Sequence, residues 1–275
     1  MCGICGIAST RGTVDRERLT AMSATIVHRG PDSEGAYIDG GVGIAARRLA
    51  IIDLGGGDQP VANEDGTCTV VQNGEIYNYA QLRVELERSG HVFRTHSDTE
   101  TLVHAYEEWG LDFAVRLRGM FAIAIWDARA RRLVLARDRF GIKPLAYRLV
   151  DGELSFASEL DALPKGELDL DAVEAFLAFN CVPAPLSIFR EIRKLPPGHL
   201  LVWRDGRIEL RRFARPGKAP PRADRALLLP RPEPDRGGRR TVCVGIRTGH
   251  LPLDPHHPRS LRPRGVHLPG GHARP

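Results

Sequence analysis

Met1-Cys2-Gly3-Ile4-Cys5-Gly6-Ile7 opens the chain. Its periodicity reads as a short apolar strand over residues 2–8, with alternation placing Cys5 on the opposite face from Cys2. Its chemistry offers more. With Met1 removed, Cys2 carries a thiol and a free α-amine on one α-carbon. Thiolate is the nucleophilic form of cysteine, and an α-amine, with a pKa near 8, is a base held beside it by covalent geometry. That is a minimal activated-nucleophile pair. Gly3 permits close backbone approach beside the sulfur. The plainer reading is a small buried residue starting a strand, so the rest of the chain must decide.

The 275 residues suit one large domain or two smaller ones. No run of 18 apolar residues suggests a membrane span, and no basic-then-apolar leader is visible at the start. The five cysteines, at 2, 5, 68, 181 and 243, are few, odd in number and scattered. This pattern predicts reduced thiols and a cytoplasmic protein. Cys2-x-x-Cys5 lacks a second Cys or His pair at zinc-ligand spacing, which argues against a metal or redox motif. Residues 214–275 hold 13 lysines and arginines against 4 acidic residues, whereas residues 1–213 hold 26 against 30. The body is mildly acidic, so the overall positive charge does not predict nucleic-acid binding by the folded part.

Residues 15–27 read as a helix capped by Asp15, with Leu19, Met22, Ile26 and Val27 at helical spacing. A hairpin follows near 36–38 and 42–46, turning at Asp39-Gly40-Gly41. Arg47-Arg48 runs into an apolar strand, Leu49-Ala50-Ile51-Ile52, before a glycine turn at 55–57. An arginine there is either a solvated charge or a bidentate clamp for a carboxylate. A strand over 68–72 ends at Asn73-Gly74. That pair is either a tight turn or an oxyanion hole made from a side-chain amide and a backbone N–H. A helix over 78–89 stops at Gly90. Ser97-Asp98-Thr99-Glu100 is a capping box for the next helix, which buries Leu102, Val103 and Tyr106. Asp98 either complements the helix dipole or holds an ammonium. Strands follow at 120–126, 133–136, 145–149 and 154–157, then a helix over 171–179 with Val173, Phe176 and Leu177 on one face. A last hairpin spans 199–203 and 207–212. Beyond Phe213, 12 of the 20 prolines crowd into a segment with no period, which predicts disorder. Metal or RNA binding by this His-rich tail is disfavoured, because aromatic residues are not interleaved with its charges.

Taken in order, Met-Cys-Gly-Ile, His28–Asp32, Arg48–Asp53, Asn73–Asn78, Ser97–Glu100, Gly119–Phe121, Ala136–Pro144 and Phe156–Glu159 resemble the glutamine amidotransferase domain of glutamine-hydrolysing asparagine synthetases. The likeness covers residues 2–213, with 183–212 similar to that family's linker and hairpin. It implies an α+β, N-terminal-nucleophile hydrolase fold, two antiparallel sheets between helical layers (αββα). It implies that Cys2 attacks the amide of L-glutamine and that Asn73 and Gly74 stabilise the oxyanion. It further implies that Arg48 binds the α-carboxylate, Asp98 the α-ammonium, and Leu49, Ala50, Ile51, Ile52 and Glu75 line the pocket. Another amidase of this fold is disfavoured, because Arg48 and Asp98 together suit an amino-acid head. No metal or cofactor is expected for glutamine hydrolysis. ATP and Mg would belong to the family's synthetase domain, whose Ser-Gly-Gly-x-Asp-Ser loop is not found here; Leu268–His272 lacks its serines and aspartate. The residues therefore predict a domain over 2–213, a tail over 214–275 and a truncated or frameshifted synthetase. Its partners would be a synthetase domain or a second copy, and neither nucleic acid nor membrane is expected. The alternative is an unproductive fragment that only binds glutamine or docks a partner.

Overall fold

The computed structural model describes residues 2–50, 53 and 55–215. The predicted tail, except its first two residues, and the pocket residues Ile51 and Ile52 lie outside them. The described part falls in one compact unit.

Two six-stranded antiparallel sheets form its centre. The first contains β1 (Gly3–Ala8), β2 (Ser33–Asp39), β3 (Val42–Arg48), β8 (Ala146–Val150), β9 (Glu153–Ala157) and β10 (Ile192–Lys194), in the order β10-β8-β9-β1-β3-β2. The second contains β4 (Val61–Ala62), β5 (Cys68–Ile76), β6 (Gly119–Asp127), β7 (Arg132–Arg137), β11 (His199–Arg204) and β12 (Arg207–Arg212), in the order β12-β11-β7-β6-β5-β4. The helices are α1 (Arg16–Thr25), α2 (Tyr79–Arg88), α3 (Asp98–Trp109), α4 (Phe113–Arg116) and α5 (Leu170–Phe179).

Alternation along the strands builds the layers. Ile4 and Ala8 of β1 face Val71, Ala122 and Ala124 of the second sheet. Cys5 and Ile7 point the other way, into Leu19 and Met22 of α1. On the second sheet, Val70, Ile123 and Ile125 turn outward against Leu82, Leu86, Leu102 and Tyr106 of α2 and α3. The result is helix, sheet, sheet, helix, as the α+β reading implied. Burial raises the Cys5 thiol to about 12 against the opposing charge of Arg47, so this second cysteine of the opening motif stays a protonated core residue. No helix among the described residues is long and apolar enough to cross a membrane.

Four local readings change. Of the predicted strand after Arg47-Arg48, the described residues Leu49 and Ala50 are not extended into a sheet; β3 itself ends at Arg48. The backbone donors beyond it go elsewhere, Leu49 N–H to the Cys2 sulfur and Ala50 N–H to the Asp32 carboxylate, leaving no ladder to continue. Asn73-Gly74 is not a turn, because β5 runs on through it to Ile76, with Asn73 opposite Ala122 and Gly74 opposite Phe121. Only glycine fits there: its φ is +152°, and a Cβ would sit 2.0 Å from the Met120 carbonyl oxygen. The capping box is half made. Ser97 Oγ accepts from Thr99 N–H, but the Glu100 carboxylate takes the N–H groups of Arg94 and Thr95 and the Thr95 hydroxyl. Finally, the apolar face of α5 stays in solvent, Leu177 being 79% exposed.

Candidate active site

The ends of β1, β3 and β5 and the first turn of α3 meet at one narrow cleft of about 20 Å3. Cys2, Arg48, Leu49, Gly74, Glu75 and Asp98 line it, joined by Gly57, Gln59, Ser97 and Thr99. Six of the ten residues named from the sequence therefore surround one space, although they span almost a hundred positions of chain.

Cys2 sits just before β1, half-buried. Its sulfur lies 3.3 Å from the Leu49 N–H and 3.6 Å from the Leu49 carbonyl oxygen. Arg29 Nε donates to the Cys2 carbonyl at 3.0 Å and the same guanidinium pairs with Glu159 at 2.7 Å, fixing the backbone that carries the thiol. Gly74 forms the opposite wall. Asn73, one residue before it on β5, is fully buried, and neither its amide nitrogen nor its carbonyl oxygen has a hydrogen-bond partner among the described residues. Leaving a buried amide unpaired costs about 1–3 kcal/mol per group. Such a cost points to a group the site is built to receive.

The two charged residues stand differently. Arg48 is buried, its guanidinium donating to the Asp53 carbonyl oxygen at 2.6 Å and to the Asp58 carboxylate at 3.0 Å. That carboxylate is mostly exposed, so the arginine already holds a carboxylate at the cleft. Asp53 is fixed in turn by the N–H groups of Gly56 and His96. Asp98 is buried in the first turn of α3 and accepts from Ile76 N–H at 2.8 Å and Gln72 Nε2 at 3.1 Å. Burial raises its pKa above the ordinary aspartate value, opposed by these hydrogen bonds. Glu75 is raised as well, by its own burial first and then by the charge of Asp98, while Lys143 opposes. A cation entering beside the two acids relieves both.

Ala50 is not a lining residue; its N–H is bound to Asp32. Ile51 and Ile52 lie outside the described residues. Sequence reasoning missed Gln59 and Gln72. Gln59 accepts from Gln72 N–H at 2.6 Å and donates to the Thr99 hydroxyl at 3.3 Å, tying β5 to α3 under the cleft. No local signal links residues so far apart; the only hint was polar side chains in or beside otherwise apolar strands.

Residues 1–214 match the family model of a glutamine amidotransferase domain. The chain is 40% identical over 238 residues to asparagine synthetase (glutamine-hydrolyzing) 1 of Bacillus subtilis, a match covering 83% of this chain and 38% of that protein. It is 48% identical over 167 residues to synthetase 2 of the same organism, covering 59% of this chain and 22% of that one. Against synthetase 3 of Arabidopsis thaliana the identity is 40%, over 78% and 33% of the two chains. The chain thus spans between 22% and 38% of the length of these curated relatives. Among solved structures, glutamine phosphoribosylpyrophosphate amidotransferase from B. subtilis, complexed with ADP and GMP, superposes with a TM-score of 0.56 at 21% identity, over 77% of this chain and 49% of that one. At that identity the likeness concerns the fold.

Proposed function

The chain belongs to the family of glutamine amidotransferase domains, and from that premise we propose that Cys2 hydrolyses the side-chain amide of L-glutamine to glutamate and ammonia. Removal of Met1 frees the Cys2 α-amine, which takes the thiol proton as the sulfur attacks the amide carbon. The Asn73 amide and the Gly74 N–H receive the developing oxyanion. The protonated amine then gives its proton to the departing nitrogen, the C–N bond breaks, and a γ-glutamyl thioester and ammonia result. Water, deprotonated by the same amine, attacks the thioester, and glutamate leaves as the sulfur regains its proton.

Substrate selection follows from charge. Glutamine is a zwitterion at its α-carbon. Arg48 takes the carboxylate in place of Asp58, and Asp98 takes the ammonium. Glu75 and Leu49 close around the chain between them. The observation that carries this reading is the single cleft that collects Cys2, Arg48, Gly74 and Asp98, with the unpartnered Asn73 amide behind it. Hydrolysis on this scheme needs no metal. The use of ammonia, amidation of aspartate with ATP and Mg, is assigned to a synthetase portion such as the names and greater length of the relatives suggest.

Release of glutamate from glutamine by the purified chain, with Cys2→Ala as control and intact mass to report loss of Met1, tests the proposal. Turnover that survives in Cys2→Ala rejects it. A chain that has lost Met1 and binds glutamine without turning it over supports the binding-fragment alternative instead.

A further inference from the structure

On the far side of the second sheet, four side chains that the proposed reaction does not use converge. Glu64 comes from the loop after β4, His91 from the link between α2 and α3, and His104 and Glu107 from one face of α3. One ligand-type atom from each lies within 4.8 Å of the others. None of the four lines the Cys2 cleft.

The spacing is that of a coordination shell. His104 Nδ1 stands 3.4 Å from Glu64 Oε2 and 3.5 Å from Glu107 Oε2; His91 Nδ1 stands 3.8 and 3.9 Å from Glu64 Oε1 and Glu107 Oε2. Ligands about 2.1 Å from a tetrahedral zinc ion are about 3.4 Å from each other. The His104 and Glu107 atoms are also unspent. His104 is 1% exposed, yet neither ring nitrogen has a hydrogen-bond partner among the described residues, and neither does Glu107 Oε2. The surroundings orient the ligands as carboxylates and amides do around metals. The other ring nitrogens of His91 and His104 face Glu108 at 3.5 Å and Glu100 at 3.8 Å. Asn63 Nδ2 holds Glu107 Oε1 at 2.6 Å, Val92 N–H holds Glu64 Oε1 at 2.9 Å, and the Phe93 ring packs edge-on against His104.

We propose that Glu64, His91, His104 and Glu107 bind a zinc ion that ties the β4–β5 loop and the α2–α3 link to helix α3. Two imidazoles and two carboxylates are borderline ligands that suit zinc rather than calcium or magnesium. With four protein ligands, none of which lines the cleft, the ion is structural.

The test uses the full chain, freed of metal by a chelator and titrated with zinc chloride by calorimetry and thermal unfolding. One zinc per chain is expected, with a rise of about 5 °C in the unfolding midpoint. His91→Ala removes a half-buried ligand. Glu107→Gln keeps both the volume and the Asn63 bond while losing a ligand oxygen, so a folding defect in the first variant does not blunt the test. Each is expected to weaken zinc binding at least about 100-fold and to abolish the rise. Cobalt in place of zinc should give the visible bands of a four-coordinate nitrogen and oxygen site. Cysteine-to-cobalt charge transfer, zinc binding unchanged in Glu107→Gln, or no stoichiometric zinc would overturn the proposal.

Discussion

Helix α3 serves a different polar cluster at each end. Its first turn brings Asp98 to the Cys2 cleft, and its second half brings His104 and Glu107 to the zinc candidate. At the first, the buried carboxylate is already paired with Ile76 N–H and Gln72, and what remains unpaired is an amide, Asn73. At the second, imidazole nitrogens face carboxylate oxygens, and neither His104 ring nitrogen nor Glu107 Oε2 has a hydrogen-bond partner among the described residues. The first arrangement suits a ligand with both charges and a reactive carbonyl. The second suits a bare cation. What a buried site leaves unsatisfied therefore indicates its ligand as directly as what lines it.

The largest effect that separates the two clusters is loss of the nucleophile. Cys2→Ala should lower glutamine turnover by at least about 10^4-fold, measured as glutamate release, while the zinc-induced rise in unfolding temperature persists unchanged. If that rise vanishes too, the clusters are not independent. Next comes the oxyanion. Asn73→Ala should cost about 10^2–10^3-fold in kcat with little change in KM. Since the Asn73 amide has no protein partner to lose, its thermal midpoint should hold. A variant that loses KM rather than kcat would make Asn73 a binding residue, not an oxyanion donor.

How much of this was legible in the sequence differs between the two ends of α3. The Cys2 cleft is made of short motifs, each carrying one residue at the end of an element: a thiol before β1, an arginine at the end of β3, an acid in a helix first turn. Local rules find such positions, while the layered fold is implied by the family resemblance; alternation in β1 and helical spacing in α1 and α3 are only compatible with it. Asn73-Gly74 misled because turn propensity is local, whereas the pairing with β6 that extends β5 comes from residues 119–127. The start of the apolar run after Arg48 misled because hydrophobicity does not show that the Leu49 and Ala50 N–H groups are claimed by a sulfur and a carboxylate. The zinc candidate offered only His104 and Glu107, one turn apart. Its other half arrives from a loop and a helix link, and no spacing rule joins them.

Asp98 sharpens the comparison through pH. Burial raises this acid, so lowering the pH through its elevated range protonates it and removes the partner of the substrate ammonium. KM for glutamine should rise on the acid side, beginning above the pH at which an ordinary aspartate would titrate. Asp98→Asn should raise KM about 10–100-fold at neutral pH and flatten that acid limb. The stability sign runs the other way. A carboxyl raised in the folded state costs folding free energy as pH rises from the ordinary aspartate range through the raised one. Asparagine escapes that cost, so the unfolding midpoint of Asp98→Asn at neutral pH should not fall. A lower midpoint would mean that the carboxylate mainly supports the first turn of α3.

The smallest expected effect is the most discriminating. Chelation of zinc should slow glutamine hydrolysis by less than about twofold, even as it lowers the unfolding midpoint. The reasoning is local. Asp98 is held by Ile76 N–H, Gln72 and, through Gln59 and Thr99, by β5, all contacts that lie before His104 on the helix. Releasing the far half of α3 from the β4–β5 loop leaves those bonds in place, and sub-global loosening of one half of an element is a separate event from loss of the other. KM measured with and without chelator, at a temperature well below both midpoints, decides the matter. A large rise in KM would show that the ion holds Asp98 in register and that the two clusters act as one. A fall in kcat at constant KM would put a metal in the chemistry itself, against the metal-free hydrolysis argued for Cys2.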